Sequence, residues 1–242
     1  MKKILFSILI LAAGHVAATA QSAEELVARH LSATGASVWA KVNAIKTEAK
    51  VSADGAPGMS ILWSMTALRE KAARMDVNVM GMTQTTVVNG NQGWANNPFM
   101  NQPDPEPLTA DQVKALAELT DIDGSLVGYK EKGYQLEYVG TEDVEGVETH
   151  KIKVNKGERG IEYSFFDPES FYEIKTVKVE KIDGKEVTSA TLFSNFKKQD
   201  GIVYPFTIQQ ENPMMGATTV TITSLTLNPP VDEKIFELPA KK

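Results

Sequence analysis

The stretch from Tyr134 to Leu227 is written in runs of Val, Ile, Thr and aromatic residues, six runs of seven to eleven residues parted by turns such as Ile182-Asp183-Gly184-Lys185. That rhythm predicts an antiparallel meander. Along Ile202, Tyr204, Phe206 and Ile208 the apolar side chains recur at every second position, with Thr207, Gln209 and Glu211 between or beyond them. One face of the sheet is therefore dry and the other wet.

The first half carries the same alternation. Ile45, Thr47, Ala49 and Val51 form one strand; Met59, Ile61, Trp63, Met65 and Ala67 form the next beyond the Asp54 to Gly58 turn. Met75, Val77 and Val79 follow, then Met82 to Val88, and the Asn89-Gly90 turn leads into a brief strand with Trp94. From Asn96 to Pro107 the prolines predict an exposed loop, because a strand interior does not accept them. Two segments have helical spacing instead. One runs from Ser22 to Ser32 with Leu26, Val27 and Leu31 on its apolar face, and Thr34-Gly35-Ala36 ends it. The other starts at Thr109, with Gln112 completing a capping box and Val113 and Leu116 on its apolar side, and extends about three turns.

The fold class that results is mainly β with a few helices: one curved antiparallel sheet of about ten or eleven strands, a half-open barrel closed by short α-helices. Two short helices present less apolar surface than one face of such a sheet, so a lined cavity is expected, with room for an acyl chain or another long apolar ligand. Its expected lining is Met59, Ile61, Trp63, Met65, Met75, Val77, Val79, Trp94, Leu136, Tyr138, Ile152, Val154, Tyr204 and Phe206. The methionines suit a guest of variable shape, although each taken alone reads equally well as core filler. The expected lid is Leu26, Val27, Leu31, Val113 and Leu116.

Composition narrows the classes. Residues 1–20 pair Lys2 and Lys3 with the apolar run Ile4 to Ala13 and end in Ala18-Thr19-Ala20, the layout of a secretory signal peptide, leaving residues 21–242 as one domain. No cysteine follows the cleavage site, so a soluble exported protein without a lipid anchor is expected in the periplasm. The formal charge of −6, or −8 once Lys2 and Lys3 are removed, disfavours nucleic acid and anionic lipid headgroups as partners. With no cysteine there is neither a disulfide framework nor a thiol nucleophile.

Candidates for chemistry are thin. His30 and His150 are the histidines after the signal peptide, and no serine elbow or zinc spacing accompanies them. The acidic pairs Asp104/Glu106 and Asp121/Asp123 sit in loops where carboxylates are ordinarily solvated, and the spacing of a calcium loop is missing. Met80/Met82 and Met214/Met215 are too short to argue for Cu(I). The expectation is a binding protein, not an enzyme, with no cofactor, no metal and no catalytic residue.

The segment Val87 to Phe99, with Asn89-Gly90, Trp94 and Pro98, resembles the hairpin of the periplasmic outer-membrane lipoprotein carriers, the LolA-like and LolB-like proteins. The N-terminal helix and following strand, Tyr163 to Ser170 with its Asp167-Pro168 turn, and Lys197 to Ile208 with Asp200-Gly201 and Pro205 resemble the same superfamily. The resemblance implies a half-open barrel whose cavity shields lipoprotein acyl chains in transit to the outer membrane, with inner- and outer-membrane protein partners. It also implies that Arg69 contacts the lid, although the family's following proline is here Glu70. Three alternatives stay open: a lipid-sensing regulatory subunit of the same fold, an envelope enzyme using His150, and an integral outer-membrane barrel. Against the last stand the short strands and a chain end, Pro239-Ala240-Lys241-Lys242, that is not an aromatic strand.

Overall fold

The computed structural model describes residues 22–55, 58–182, 184–212 and 216–240. The expected signal peptide and its cleavage site, Asp183 of the hairpin turn, Met214/Met215 and Lys241-Lys242 lie outside the described residues. In chain order the elements are α1 (Ala23–Thr34), α2 (Ala36–Trp39), β1 (Ala44–Ala53), β2 (Ile61–Leu68), β3 (Ala72–Val79), β4 (Met82–Asn89), β5 (Gln92–Asn97), β6 (Gln102–Pro107) and α3 (Ala110–Ala115). There follow β7 (Gln135–Val144), β8 (Val147–Asn155), β9 (Ile161–Phe166), β10 (Glu173–Ile182), β11 (Lys185–Gln199), β12 (Ile202–Asn212) and β13 (Gly216–Leu227).

Among the described residues all 13 strands belong to one antiparallel sheet in the order β6-β5-β4-β3-β2-β1-β13-β12-β11-β10-β9-β8-β7. The chain enters at the middle with β1, works outward to one edge at β6, crosses to the far edge at β7, and works back until β13 pairs with β1. The sheet is curved but its edges do not meet, so the barrel stays open. The crossing of residues 108–134 must traverse a face of the sheet, and it runs over the same face as α1 and α2, here called inner. Register defines that face: Leu227, Ile45, Ala67, Ala73, Val88 and Gly93 stand side by side across β13, β1, β2, β3, β4 and β5.

The count exceeds the ten or eleven strands read from the sequence. One addition is β6, at Gln102–Pro107, where an exposed loop is expected. Edge position resolves the conflict: Pro103, Pro105 and Pro107 lie on an edge strand, where half the backbone donors face solvent and are not needed for the ladder. The stretch from Tyr134 to Leu227 holds seven strands instead of six. One of its turns, Glu145-Gly146, takes left-handed angles of φ 53 and 88 with Glu where Asn or Asp would signal a hairpin.

Helix α1 forms as the sequence predicts. The Ser22 side chain accepts from the Glu25 backbone N–H, Glu24 and Glu25 lie at the positive end, and Ala23, Leu26 and Val27 are buried. Gly35 closes it at φ 84 and joins it to α2. The second predicted helix is shorter than three turns. Its capping box of Thr109 and Gln112 is present, but α3 has six residues and gives way to a 3-10 turn, Ala117–Thr120. Four buried clusters hold the molecule together. One lies under α1 around Ile152, Val154 and Phe166; two lie at the centre around Ile202, Phe206 and Ile222 and around Val42, Ile45 and Ala73; the fourth, with Ala72, Val87, Trp94 and Phe236, is on the outer face.

Gly35 sets the distance between the helices and the sheet. A Cβ there would fall 2.3 Å from the Gly201 carbonyl oxygen in the Asp200-Gly201 turn joining β11 to β12. Gly35→Ala therefore adds a steric clash to a left-handed backbone, and a loss of at least ~2 kcal/mol is expected in urea unfolding. Gly55→Ala, which meets nothing within 4 Å and has no positive φ, is expected to change little in the same measurement.

Candidate functional site

Between the inner face and its cover lies a cleft of about 200 Å³. Its roof is Leu31 and Thr34 of α1, Ala36 and Trp39 of α2, and Ile122 to Val127 of the crossing; its floor is Phe193 and Phe196 of β11 and Ile202 to Pro205 of β12, with Glu162 of β9 and Glu173 of β10 at one side. The walls are mostly apolar. Larger hollows exist, among them one of about 620 Å³ near Glu118, Arg159 and Lys178, but mixed charge lines it and no hydrocarbon would gain by entering.

One guanidinium organises the roof. Arg69, at the end of β2, donates Nε–H to the Val42 carbonyl at 2.7 Å, one terminal nitrogen to the Trp39 carbonyl at 2.8 Å and the other to the Asp123 carboxylate. The same carboxylate accepts from the Trp39 indole N–H at 2.8 Å. The Arg69 and Asp123 side chains are 19% and 10% exposed, so the pair is only weakly screened. Nearby Lys132 donates to Asp121 at 2.8 Å and to the Gly124 carbonyl at 2.6 Å. Asp121 and Asp123, expected as solvated loop acids, are thus the fastenings of the crossing. Arg69 reaches the cover at the Trp39 carbonyl and the Asp123 carboxylate, with Glu70 following at φ 55.

Polar groups concentrate at the β9–β10 side. Lys156 and Glu162 form an ion pair at 3.3 Å with side chains 3% and 6% exposed. Lys178 pairs with Glu118 at 3.2 Å. Partial burial pushes the Glu118 carboxyl up, but Lys178, Lys156 and Arg159 outweigh it and hold the group below the usual carboxylate range. For Lys178 burial pulls down while Glu118, Glu162 and Glu180 raise the ammonium above its ordinary value. Glu173 has no such cation. Its Oε1 is sealed from solvent and hydrogen-bonds to nothing, although the residue as a whole keeps some exposed surface. Burial, then the Glu162 charge, push its carboxyl from 4.5 up to about 8; Ser164 beside it offsets this only partly, without the geometry of a hydrogen bond.

His30 is built into the roof as a neutral ring. Burial lowers it, outweighing the Phe171 carbonyl that Nδ1 contacts at 2.9 Å, and since a carbonyl only accepts, Nδ1 carries the proton. Its ring meets Phe166 edge-on at 5.2 Å. His150 sits away from the cleft, its Nδ1 3.1 Å from the Tyr138 hydroxyl on the neighbouring strand. Among the described residues no group of three or more His, Cys, Asp or Glu is arranged to hold a metal ion.

Of the residues expected to line the cavity or form its lid, Tyr204 and Leu31 border this cleft. Tyr204 stacks on Trp39 at 6.4 Å, and burial raises its phenol. Leu26 and Val27 of α1 are fully buried against Ile152 and Val154, with Leu136 and Tyr138 packed against the same cluster. Trp63 and Phe206 belong to the central cluster, and Met65 packs against Val42 and Ile45. Ile61, Met75, Val77 and Val79 share the inner face but are only partly covered, while Met59 is 43% exposed ahead of β2. With Met82 at 48% they form an apolar stripe running out from under the roof.

Trp94 corrects the expected lining. Its row is Val87, Arg74, Thr66 and Lys46, the parity opposite to Met75 and Met65, so it lies on the outer face. There it donates to the Phe236 carbonyl at 3.3 Å beneath the C-terminal 3-10 turn Glu233–Phe236. Val113 packs on the inner face of β5 near Gly93, and Leu116 is partly buried at the end of α3; neither reaches the cleft. Trp39, Asp123, Phe193, Phe196, Glu162 and Glu173 are the site residues that sequence reasoning missed. Asp123 entered only as a solvated loop acid, and Glu162 left a trace as an acid alternating with Ser164 and Phe166 on the buried side of β9.

No protein-family model matches the chain, and no curated protein matches it either. Solved structures do. A LolA superfamily protein from Nitrosomonas europaea shares 12% identity at a TM-score of 0.59, covering 90% of this chain and 98% of its own. A DUF1329 family protein from Desulfovibrio piger shares 12% at 0.58, covering 89% and 95%. A protein domain assigned to outer membrane lipoprotein sorting in Vibrio parahaemolyticus shares 12% at 0.55, covering 88% and 95%. The chain has the fold of these proteins over nearly its whole described length.

The raised Glu173 carboxyl makes stability depend on pH. The folded state keeps a proton that the unfolded chain releases above 4.5, so stability falls as pH rises from 4.5 to about 8 and levels beyond, with a slope approaching ~1.4 kcal/mol per pH unit. Glu173→Gln removes the proton. Its stability relative to wild type is expected to climb through that interval in urea titrations; an unchanged difference would contradict the buried, protonated carboxyl.

Proposed function

We propose that the protein is a periplasmic carrier that shields the acyl chains of lipoproteins, or of a related lipid, and delivers them toward the outer membrane. The observation that supports the reading is the cleft: an apolar floor of β11 and β12 under a roof fastened at one polar point, Arg69 with Asp123. Its volume of about 200 Å³ is below the ~300–1,000 Å³ of ordinary small-molecule sites, so a long chain must displace the roof or extend along the apolar stripe of β2 to β4. Handling such cargo needs no bond to be made or broken, and the reading therefore assigns no catalytic residue and no cofactor. Outer membrane lipoprotein sorting, the assignment of the similar Vibrio domain, fits the same cargo chemistry. Among the described residues no helix is long and apolar enough to cross a membrane. Transfer between two membranes would require docking partners in each.

The test is displacement of a fluorescent fatty-acyl probe from the detergent-free protein. Saturable binding at a single site is expected, and no binding at all would overturn the proposal. Arg69→Leu isolates the fastening. It leaves Asp123 buried without its cation, so a loss of about 2–4 kcal/mol in unfolding is expected, together with faster probe association because the roof opens at lower cost. Slower association with unchanged stability would show that Arg69 does not hold the roof.

A further inference from the structure

Almost every charged group around the cleft is answered. Glu162 has Lys156, Glu118 has Lys178, and Asp123 has Arg69. His30 is neutral and donates to a backbone carbonyl, and burial keeps the Tyr204 phenol protonated. Among the described residues two polar atoms are left over. The Ser164 hydroxyl, on a residue with no exposed surface, and Oε1 of Glu173 make no hydrogen bond, and Glu173 borders the cleft. A buried polar atom without a partner costs about 1–3 kcal/mol, a cost that folding alone would remove by substituting an apolar residue. These atoms are adjacent on β9 and β10, where Ser164 pairs with Thr176 and the bulge between Glu173 and Lys175 turns the strand.

We propose that Glu173, with Ser164 beside it, is the polar anchor of the cleft: a hydrogen-bond site for the carbonyl of an ester- or amide-linked acyl chain. The chemistry selects a carbonyl over a cation. Lys156 and Lys178 already pair with the neighbouring carboxylates Glu162 and Glu118, and Glu173 itself holds a proton, so no unpaired carboxylate is left to attract an ammonium group. A protonated carboxyl is instead a donor, as is a hydroxyl, and an acyl carbonyl is an acceptor that carries its own hydrocarbon into the apolar part of the cleft. The inference rests on the acyl-binding reading and adds the position and chemistry of the linkage.

The experiment compares two ligands that differ in one carbonyl, 1-monolauroylglycerol and its ether analogue 1-O-dodecylglycerol, as displacers of the fluorescent acyl probe from the full chain. Wild type is expected to prefer the ester by about tenfold. The preference is expected to vanish as pH rises through about 8, where the carboxyl ionises and stops donating. Glu173→Leu is expected to bring the ester-to-ether affinity ratio to about one, and Glu173→Gln, whose amide still donates, to retain the preference at all pH values. In infrared difference spectra the carboxylic-acid C=O band that Glu173→Gln removes should shift on ester binding. Equal affinity of wild type for ester and ether, with both binding, overturns the anchor and leaves the acyl cleft standing; failure to bind either overturns both. A preference undiminished in Glu173→Leu also overturns the anchor.

Discussion

The roof over the sheet depends on where Arg69 can find three acceptors at once. Two are backbone carbonyls, Val42 and Trp39, at the exit of α2; the third is Asp123, some fifty residues further along the chain. A guanidinium supplies donors in a fixed planar fork, and a lysine could not bridge the same three oxygens. The Asp123 carboxylate also holds the Trp39 indole, which stacks on Tyr204 and packs against both central clusters. The apolar contact between roof and floor is thus positioned by a small polar hub. Gly35 complements it from the other side, because backbone-to-backbone approach at Gly201 fixes how closely α1 and α2 can sit.

Topology explains why so little helix suffices. A meander that starts in the middle of its own sheet must carry the chain from one edge to the other, and that crossing lies on the inner face whether or not it is helical. Here it contributes Leu119, Ile122, Leu126 and Tyr129 to the core from turns that hardly count as secondary structure. Much of the apolar area assigned to a cavity is covered this way, and the cleft is correspondingly small. The uncovered remainder, on β2 to β4, appears as exposed apolar surface instead of enclosed volume.

What was legible in the sequence was whatever is decided locally. Period-two alternation, the Asn89-Gly90 turn, the helix starting at Ser22 and the Thr109-Gln112 box all formed in place. What was not legible depends on pairing over long distances. The prolines of Gln102–Pro107 argue against a strand unless the strand is known to be an edge, and edge position follows from the whole sheet order. Trp94 lies on the outer face, a parity that a six-residue strand with a neighbouring bulge does not reveal and that only the register with Val87 and Arg74 supplies. Asp123 looked like a loop acid because nothing near it in the chain announces Arg69.

The β9–β10 side of the cleft departs from these economies. Sheet interiors are stabilised by apolar pairs, yet Glu162, Ser164, Glu173 and Lys178 occupy neighbouring positions on the inner face. Ion pairing explains Glu162, since removing Lys156 would strand a buried charge, and Lys178 reaches out to the half-exposed Glu118. It does not explain Glu173, which gains neither a cation nor a donor and is forced to hold a proton. Local violations that the surrounding structure does not repair concentrate where a protein meets something other than itself. The carboxyl is placed where hydrocarbon ends and polarity begins, between the Phe193 and Phe196 floor and the Lys156–Glu162 pair. An acyl linkage has the same division along its length, and that match is what the proposed anchor rests on.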